Sequence, residues 1–237
     1  LIADPISGLV LSIVVPVYRN AGTLRLLHER IRTALASVWE SCELIFVIDG
    51  SPDDSETVAR QIARADRRVR VLALGNNAGQ NAAILAGLRE AVGARTVVMD
   101  ADLQDPPEAI PLLLERLGSG VDVVFAGRRG RYESVFRLLT SRLWKYALHF
   151  ASGRRVPPDA GLFLAMNRTA ADYLRGCSDA EPYILGMLGR SSLLMQSVPV
   201  KRHPRAEGSS AYSSATRLKL AWRGLCALRR SKHRSSG

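Results

Sequence analysis

Val97-Val98-Met99-Asp100-Ala101-Asp102-Leu103-Gln104-Asp105-Pro106-Pro107-Glu108 places two carboxylates, one residue apart, between an apolar run and a proline-opened helix. Val97 to Met99 has the unbroken apolar character of a parallel strand buried on both faces. Asp100 and Asp102 are therefore expected at its carboxyl end, where open α/β sheets keep their ligand crevices. In an extended segment, side chains at i and i+2 point the same way, so both carboxylates, with the amide oxygen of Gln104, converge on a hard cation such as Mg²⁺ or Mn²⁺. The competing reading makes Asp102 or Asp105 a cap for the helix that Pro106 or Pro107 begins. It fits Asp105 better than the Asp100/Asp102 pair, because two carboxylates rarely share a strand end without a counter-ion.

Outward from this stretch, strands and helices alternate. Leu11 to Val17 is an apolar, β-branched run, and Leu24, Leu27, Ile31 and Leu35 follow at helical spacing from Thr23. Glu43 to Ile48 reads as a second strand, stopped by Asp49-Gly50-Ser51-Pro52-Asp53-Asp54, and Val58, Ile62 and Ala65 mark the next helix. Val69 to Leu74 is a third strand, Asn76 to Gly79 a turn, and Asn81 to Val92 a helix whose small residues allow close packing on a sheet. After the strand carrying Asp100 come a helix from Pro106 to Leu117 and a strand at Val121 to Ala126. This alternation predicts a mostly parallel sheet covered on both faces.

The pattern changes after Gly127. Ser134 to Phe150 reads as one helix, with Phe136, Leu139, Leu143, Tyr146, Ala147 and Phe150 on an apolar face and Arg137, Ser141, Lys145 and His149 recurring every four residues. Such a stripe suits a membrane-surface helix, and by periodicity alone equally suits a helix packed on the sheet. Leu162 to Met166 is apolar, Ala170 to Leu174 helical, and Ser191 to Val200 a late strand. Residues 204 to 216, rich in Ser, Gly and Ala, form a candidate mobile loop before the basic amphipathic stretch Arg217 to Arg230.

The 237 residues have room for one large domain with an appendage. The net charge of +11 is unevenly spread: residues 128 to 155 hold eight Arg/Lys against one Glu (+7), residues 200 to 237 ten against one (+9), and the remainder fifteen against twenty (−5). An acidic body with two basic segments points to an anionic partner. Nucleic acid is not expected: the basic segments carry no recognition motif, aromatics are interleaved only around Trp144 to Phe150, and the Asp100 to Asp105 cluster would repel a phosphate backbone. Cys42, Cys177 and Cys226 are an odd number without metal spacing, which argues against a disulfide framework and a zinc site and for a reducing compartment. No segment reads as a secretory signal or as a membrane-spanning run.

Four blocks in order carry a family resemblance: Val14-Val15-Pro16-Val17-Tyr18, Val47 through Asp49-Gly50-Ser51 to Ser55, Gly79-Gln80-Asn81 to Leu88, and Met99-Asp100-Ala101-Asp102-Leu103-Gln104-Asp105-Pro106-Pro107. Together they resemble family 2 glycosyltransferases of the GT-A fold, over roughly residues 10 to 224. Ala126-Gly127-Arg128, Arg137 with Ser141, Asp159-Ala160-Gly161-Leu162-Phe163 and Arg205 through Gly208 to Tyr212 are similar to the polyprenyl-phosphate branch, the dolichyl- and undecaprenyl-phosphate sugar transferases. The resemblance implies the GT-A nucleotide-diphospho-sugar transferase fold: a mostly parallel Rossmann-like sheet with helices on both faces, here with a basic amphipathic C-terminal region.

The same resemblance implies site residues. Pro16 and Tyr18 go to the nucleotide pocket, Asp49 to the base or ribose, and Gln80 to substrate binding. Asp100, Asp102 and Gln104 become ligands of Mg²⁺ or Mn²⁺. Arg128, Arg137 and Ser141 match positions that hold the lipid phosphate, Arg202 and Arg205 close over phosphates, and Asp159 shapes the site before a glycine turn. Asp100, Asp102, Arg128 and Asp159 form the expected catalytic set. Three positions depart from the family pattern: Ile48-Asp49 stands where two acids are usual, Ala21 where Glu is frequent, and Ser210 where Lys is common. The implied reaction is inverting transfer of a sugar from a nucleoside-diphosphate sugar to a polyprenyl phosphate. A carboxylate base such as Asp159 would instead serve a hydroxyl acceptor. The expected organisation is a catalytic domain over residues 1–216, with an interface helix at 134–150 and an acceptor loop at 202–216, then a basic tail at 217–237. The expected location is the cytoplasmic face of an anionic membrane, peripheral or anchored.

Overall fold

Strands β1 (Leu11–Val17) and β2 (Cys42–Ile48) are buried along their whole length and pair in parallel, from Leu11 with Cys42 to Val17 with Ile48. The computed structural model describes residues 11–129, 149–150, 152–153 and 155–202. Further along the chain lie β3 (Val69–Ala73), β4 (Arg95–Val98), β5 (Val123–Arg129), β6 (Leu164–Asn167) and β7 (Met195–Lys201). They form a seven-stranded sheet in the order β3-β2-β1-β4-β6-β5-β7. All neighbouring pairs are parallel except β4 with β6 and β5 with β6. The mostly parallel sheet expected from the sequence is thus present, with β6 as the one reversed strand.

Helices cover both faces because the strand side chains alternate between two cores. Leu11, Ile13, Val15 and Val17 point into one, which also takes Leu24, Leu27 and Ile31 of helix α1 (Leu24–Ala34), Ala59 and Ile62 of α2 (Ser55–Ala65), and Ile110, Leu113 and Leu117 of α4 (Ile110–Leu117). Val14, Val47 and Val98 point into the other, against α3 (Gln80–Glu90), α5 (Arg168–Gly176) and α6 (Ile184–Gly189). The i, i+3, i+7 spacing of Leu24, Leu27 and Ile31 is what gives α1 its single apolar stripe. Truncating any of these buried leucines to Ala costs about 2–5 kcal/mol through lost burial and the cavity left behind.

Several boundaries differ from the sequence reading. The strand expected to reach Met99 ends at Val98, and the helix expected from Pro106 opens with a 3₁₀ turn at Pro107–Ala109 before α4. β5 runs on through Gly127 to Arg129, and β7 begins at Met195 rather than Ser191. Helix α6 has no counterpart in that reading. The Asn167 side chain caps α5 by accepting from Ala170 N at 2.9 Å. The expected 134–150 helix lies outside the described residues except for the helical His149 and Phe150, as do the acceptor loop beyond Arg202 and the 217–237 tail. Among the described residues, no helix is long and apolar enough to cross a membrane.

Candidate active site

The strand order explains where a ligand can enter. Running outward from β1, chain order goes one way through β2 and β3 and the other way to β4, so the crevice between the carboxyl ends of β1 and β4 is a topological switch point. β1 and β4 pair only from Leu11–Arg95 to Val14–Val98, Met99 N donates to Val14 O at 3.2 Å, and the strands then part. Pro16 sits where they part. Val17 O accepts from Asp49 N on the β2 side at 3.0 Å, so the alternate residues Val14 and Pro16 face β4. The missing N–H of Pro16 thus falls where β1 has no ladder partner, which is how a central strand tolerates proline. Pro16 is buried at the floor of the crevice, with Tyr18 half-buried just beyond it and the Arg19 guanidinium 5.4 Å from the Tyr18 ring centre.

The loops around this crevice are stitched together by short polar side chains. Arg19 N donates to Ser51 Oγ at 2.7 Å, Asn20 N to Ser55 Oγ at 2.9 Å, and Ala21 N to Asp53 Oδ2 at 3.1 Å, tying the β1–α1 loop to the β2–α2 loop. Burial disfavours the Asp53 charge, but bonds from Ser51, Ser55 and Ala21 outweigh it and hold this carboxyl below its ordinary value. Asp49 is buried and accepts from Ala78 N at 2.6 Å and Gly79 N at 2.9 Å, one bond on each oxygen. The carboxylate expected at the base or ribose therefore also fixes the turn that opens α3. Gly50 makes that approach feasible: its φ is +58°, and a Cβ there would stand 2.5 Å from Asn77 N.

The acidic stretch forms a turn, not a continued strand. Residues 101 and 102 lie in a turn and Leu103 has φ +61°, so the extended geometry behind the expected i, i+2 alternation does not continue past β4. Thr23 Oγ1 donates to the Ala101 carbonyl at 2.7 Å, pinning the turn to the start of α1. Gln80 Nε2 donates to Asp100 Oδ1 at 2.5 Å, and Gln104 N donates to Asp102 Oδ1 at 3.1 Å. Gln80 is thus an orienting partner of Asp100, a contact the sequence reading did not contain. Asp105 does not cap the following helix. It is buried and accepts from Arg202 Nε at 2.6 Å and Arg202 Nη2 at 2.9 Å, a bidentate pair between residues 97 apart. Burial works against the Arg202 charge, yet Asp105 by charge and hydrogen bond, then Asp100 and Asp102 by charge, raise its pKa above the ordinary arginine value.

β5 and β7 run in the same sense as β4, because β6 reverses and β5 reverses again. By strand register Arg128, paired with Val200, and Arg202 just beyond β7 therefore lie toward the same end of the sheet as Asp100. Asp159 joins them there: its Oδ2 accepts from Ser197 Oγ at 2.8 Å, and a Cβ on Gly127 would lie 2.1 Å from that oxygen. The structure thus gathers Pro16, Tyr18, Asp49, Gln80, Asp100, Asp102, Gln104, Arg128, Asp159 and Arg202 along one edge of the sheet. Arg137, Ser141 and Arg205 lie outside the described residues. The stitching role of Ser51, Asp53 and Ser55 was not read from the sequence, although Ser-Pro-Asp-Asp-Ser is a recognisable turn pattern.

Asp100 and Asp102 offer hard oxygen donors, which fit Mg²⁺ or Mn²⁺. Among the described residues, no three His, Cys, Asp or Glu side chains are grouped to hold a metal. A two-carboxylate site that draws further oxygens from a substrate phosphate is the ordinary magnesium pattern.

A mostly parallel sheet with a switch point between β1 and β4 and an acidic turn after β4 is the arrangement of the GT-A fold. The glycosyl transferase family 2 model matches residues 12–174, and the chain belongs to that family. It is 33% identical over 215 residues to the uncharacterized glycosyltransferase YkcC of Bacillus subtilis (strain 168), covering 90% of this chain and 67% of that protein. It is 31% identical over 212 residues to the undecaprenyl-phosphate 4-deoxy-4-formamido-L-arabinose transferase of Klebsiella pneumoniae (strain 342), covering 89% of this chain and 65% of that protein. The corresponding enzyme of Pseudomonas paraeruginosa is 33% identical, with 89% of this chain and 62% of the relative covered. The chain therefore spans about two thirds of the length of these relatives. Glucosyl-3-phosphoglycerate synthase from Mycobacterium tuberculosis, solved with Mn²⁺, uridine diphosphate and phosphoglyceric acid, shares the fold with a TM-score of 0.69 at 21% identity, over 94% of this chain and 78% of that one.

Proposed function

We propose that this protein is a divalent-metal-dependent, inverting glycosyltransferase that moves a sugar from a nucleoside-diphosphate sugar to a polyprenyl phosphate at the cytoplasmic face of a membrane. The observation that carries the reading is the gathering of the acidic turn, the Asp49 loop and the carboxyl ends of β5 and β7 at one sheet edge. The lipid acceptor is supported by the undecaprenyl-phosphate transferases to which the chain is similar. In this reading residues 1–216 are the catalytic domain and 217–237 a basic tail resting on anionic lipid.

Asp100 and Asp102 would hold Mg²⁺ or Mn²⁺ against the donor diphosphate; the bound ion supplies Lewis-acid stabilisation of the negative charge on the leaving phosphate oxygen. Gln80 orients Asp100, and the Thr23 bond to Ala101 keeps the turn from drifting. The Asp49 loop and Tyr18 bound the nucleoside end of the crevice. An acceptor phosphate monoester, with a second pKa of about 6, is largely dianionic at pH 7 and attacks without a general base. Arg128 and Arg137 position it and offset the repulsion between the two phosphates. Attack opposite the leaving group inverts the anomeric centre. Asp159, occupied by Ser197, shapes the acceptor side.

The test is incubation with a panel of nucleotide sugars, a short polyprenyl phosphate and Mg²⁺ or Mn²⁺, followed by mass measurement of the lipid. The expected product is the lipid phosphate heavier by one glycosyl unit. An unmodified lipid alongside a glycosylated hydroxyl acceptor would replace this reading with the soluble-acceptor one.

A further inference from the structure

The acidic turn carries three carboxylates in six residues, and one of them, Asp105, is turned into a bidentate pair with Arg202, away from the two that the proposed function assigns to the cation. The pair is well inside the protein: the Arg202 side chain is 17% exposed and that of Asp105 3%. Arg202 comes from the far end of the sheet order, and its field reaches Asp100 and Asp102 as well as Asp105. A guanidinium keeps its charge at any working pH. A fixed positive charge beside a two-carboxylate cation site neutralises part of the site and repels a divalent ion, whereas an arriving diphosphate attracts both.

We propose that Arg202 is a built-in counter-ion of the acidic turn, held in place by Asp105, that keeps divalent-ion affinity low in the nucleotide-free protein and makes tight cation binding depend on a bound diphosphate. The proposal rests on the reading that Asp100 and Asp102 hold the cation. Asp105 is then a positioning residue: it withholds itself from the cation and aims the guanidinium. The two partners of one ion pair consequently have opposite effects on metal binding. Removing Arg202 removes the repulsion and frees a third carboxylate. Removing the Asp105 charge leaves the guanidinium under the charges of Asp100 and Asp102, which already act on it, so it competes with the cation. A pair that only braced the fold would shift both variants the same way.

The experiment measures Mn²⁺ affinity by electron paramagnetic resonance of the free ion, on the whole purified chain, with and without uridine diphosphate. Arg202→Gln is expected to raise nucleotide-free Mn²⁺ affinity by about tenfold or more and to shrink the enhancement given by the diphosphate. Asp105→Asn, nearly isosteric, is expected to lower it by a similar factor, and Arg202→Lys, which keeps the charge, to stay within a few-fold of wild type. Should Arg202→Gln fail to fold, the Asp105→Asn and Arg202→Lys pair decides alone. Loss of affinity in Arg202→Gln, gain in Asp105→Asn, or no change in either overturns the proposal. Asp102→Asn serves as the separate control: if it binds Mn²⁺ as tightly as wild type, the metal-site reading itself has failed.

Discussion

Gly50→Ala tests how the Asp49 loop is built. An L-residue at φ +58° costs about 1–2 kcal/mol, because its Cβ crowds the following carbonyl. The new Cβ would also stand 2.5 Å from Asn77 N and 2.6 Å from the Asn76 carbonyl carbon. These are backbone atoms with no rotamer to escape into, and overpacking of this kind costs about 1–3 kcal/mol. The 76–79 turn must retreat, stretching the bonds from Ala78 N and Gly79 N to Asp49, each worth about 1.5–3 kcal/mol when the acceptor is charged. The expected loss is about 3–5 kcal/mol, a third or more of the stability of an ordinary domain. Urea unfolding followed by circular dichroism should show the midpoint falling by about 1–2 M at unchanged slope. Gly75→Ala is the internal control: φ is +48° but nothing lies within 4 Å of its Cβ, so it pays the backbone term alone. If Gly50→Ala is no worse than Gly75→Ala, the turn does not depend on that close approach.

Three further outcomes are expected. Asp102→Asn should lower transfer at least about a hundredfold while leaving the unfolding curve near wild type, and undiminished wild-type turnover in excess chelator would refute the metal requirement. Arg137→Ala should raise the lipid-phosphate KM far more than the nucleotide-sugar KM; the reverse split would remove Arg137 from the acceptor side. Asp66 accepts from Arg68 N at 3.0 Å, His28 Nε2 at 3.1 Å and Trp39 Nε1 at 3.2 Å; burial opposes its charge, but these bonds hold its carboxyl below the ordinary 3.8. A depressed carboxylate stabilises the fold above its unfolded pKa and stops doing so as pH falls through the folded one. The stability gap between wild type and Asp66→Asn should therefore narrow as pH falls below about 4; a gap constant from about pH 5 down to pH 2 would refute the assignment.

The sequence by itself determined the local elements. Apolar runs such as Leu11 to Val17 and Glu43 to Ile48 announce strands buried on both sides, and the stripe Leu24, Leu27, Ile31 announces α1, because periodicity and burial are properties of neighbouring residues. It also placed Asp49, Asp100 and Asp102 at strand ends, since turn residues follow those apolar runs directly. Only the tertiary structure decided what those strand ends face. The reversal of β6 between β4 and β5 leaves no mark in Leu164–Asn167, which reads as apolar in either direction. Because of that reversal, β5 runs parallel to β4 and the backbone of Arg128 lies toward the same end of the sheet as Asp100. For Asp105 the sequence offers a helix cap only as the competing alternative, since Asp precedes Pro-Pro; its real partner, Arg202, is 97 residues away. The Gln80 contact to Asp100 likewise joins the start of α3 to the end of β4. Pairings between distant residues depend on which strands lie side by side, and that is set by how the whole core closes rather than by any stretch of chain read alone.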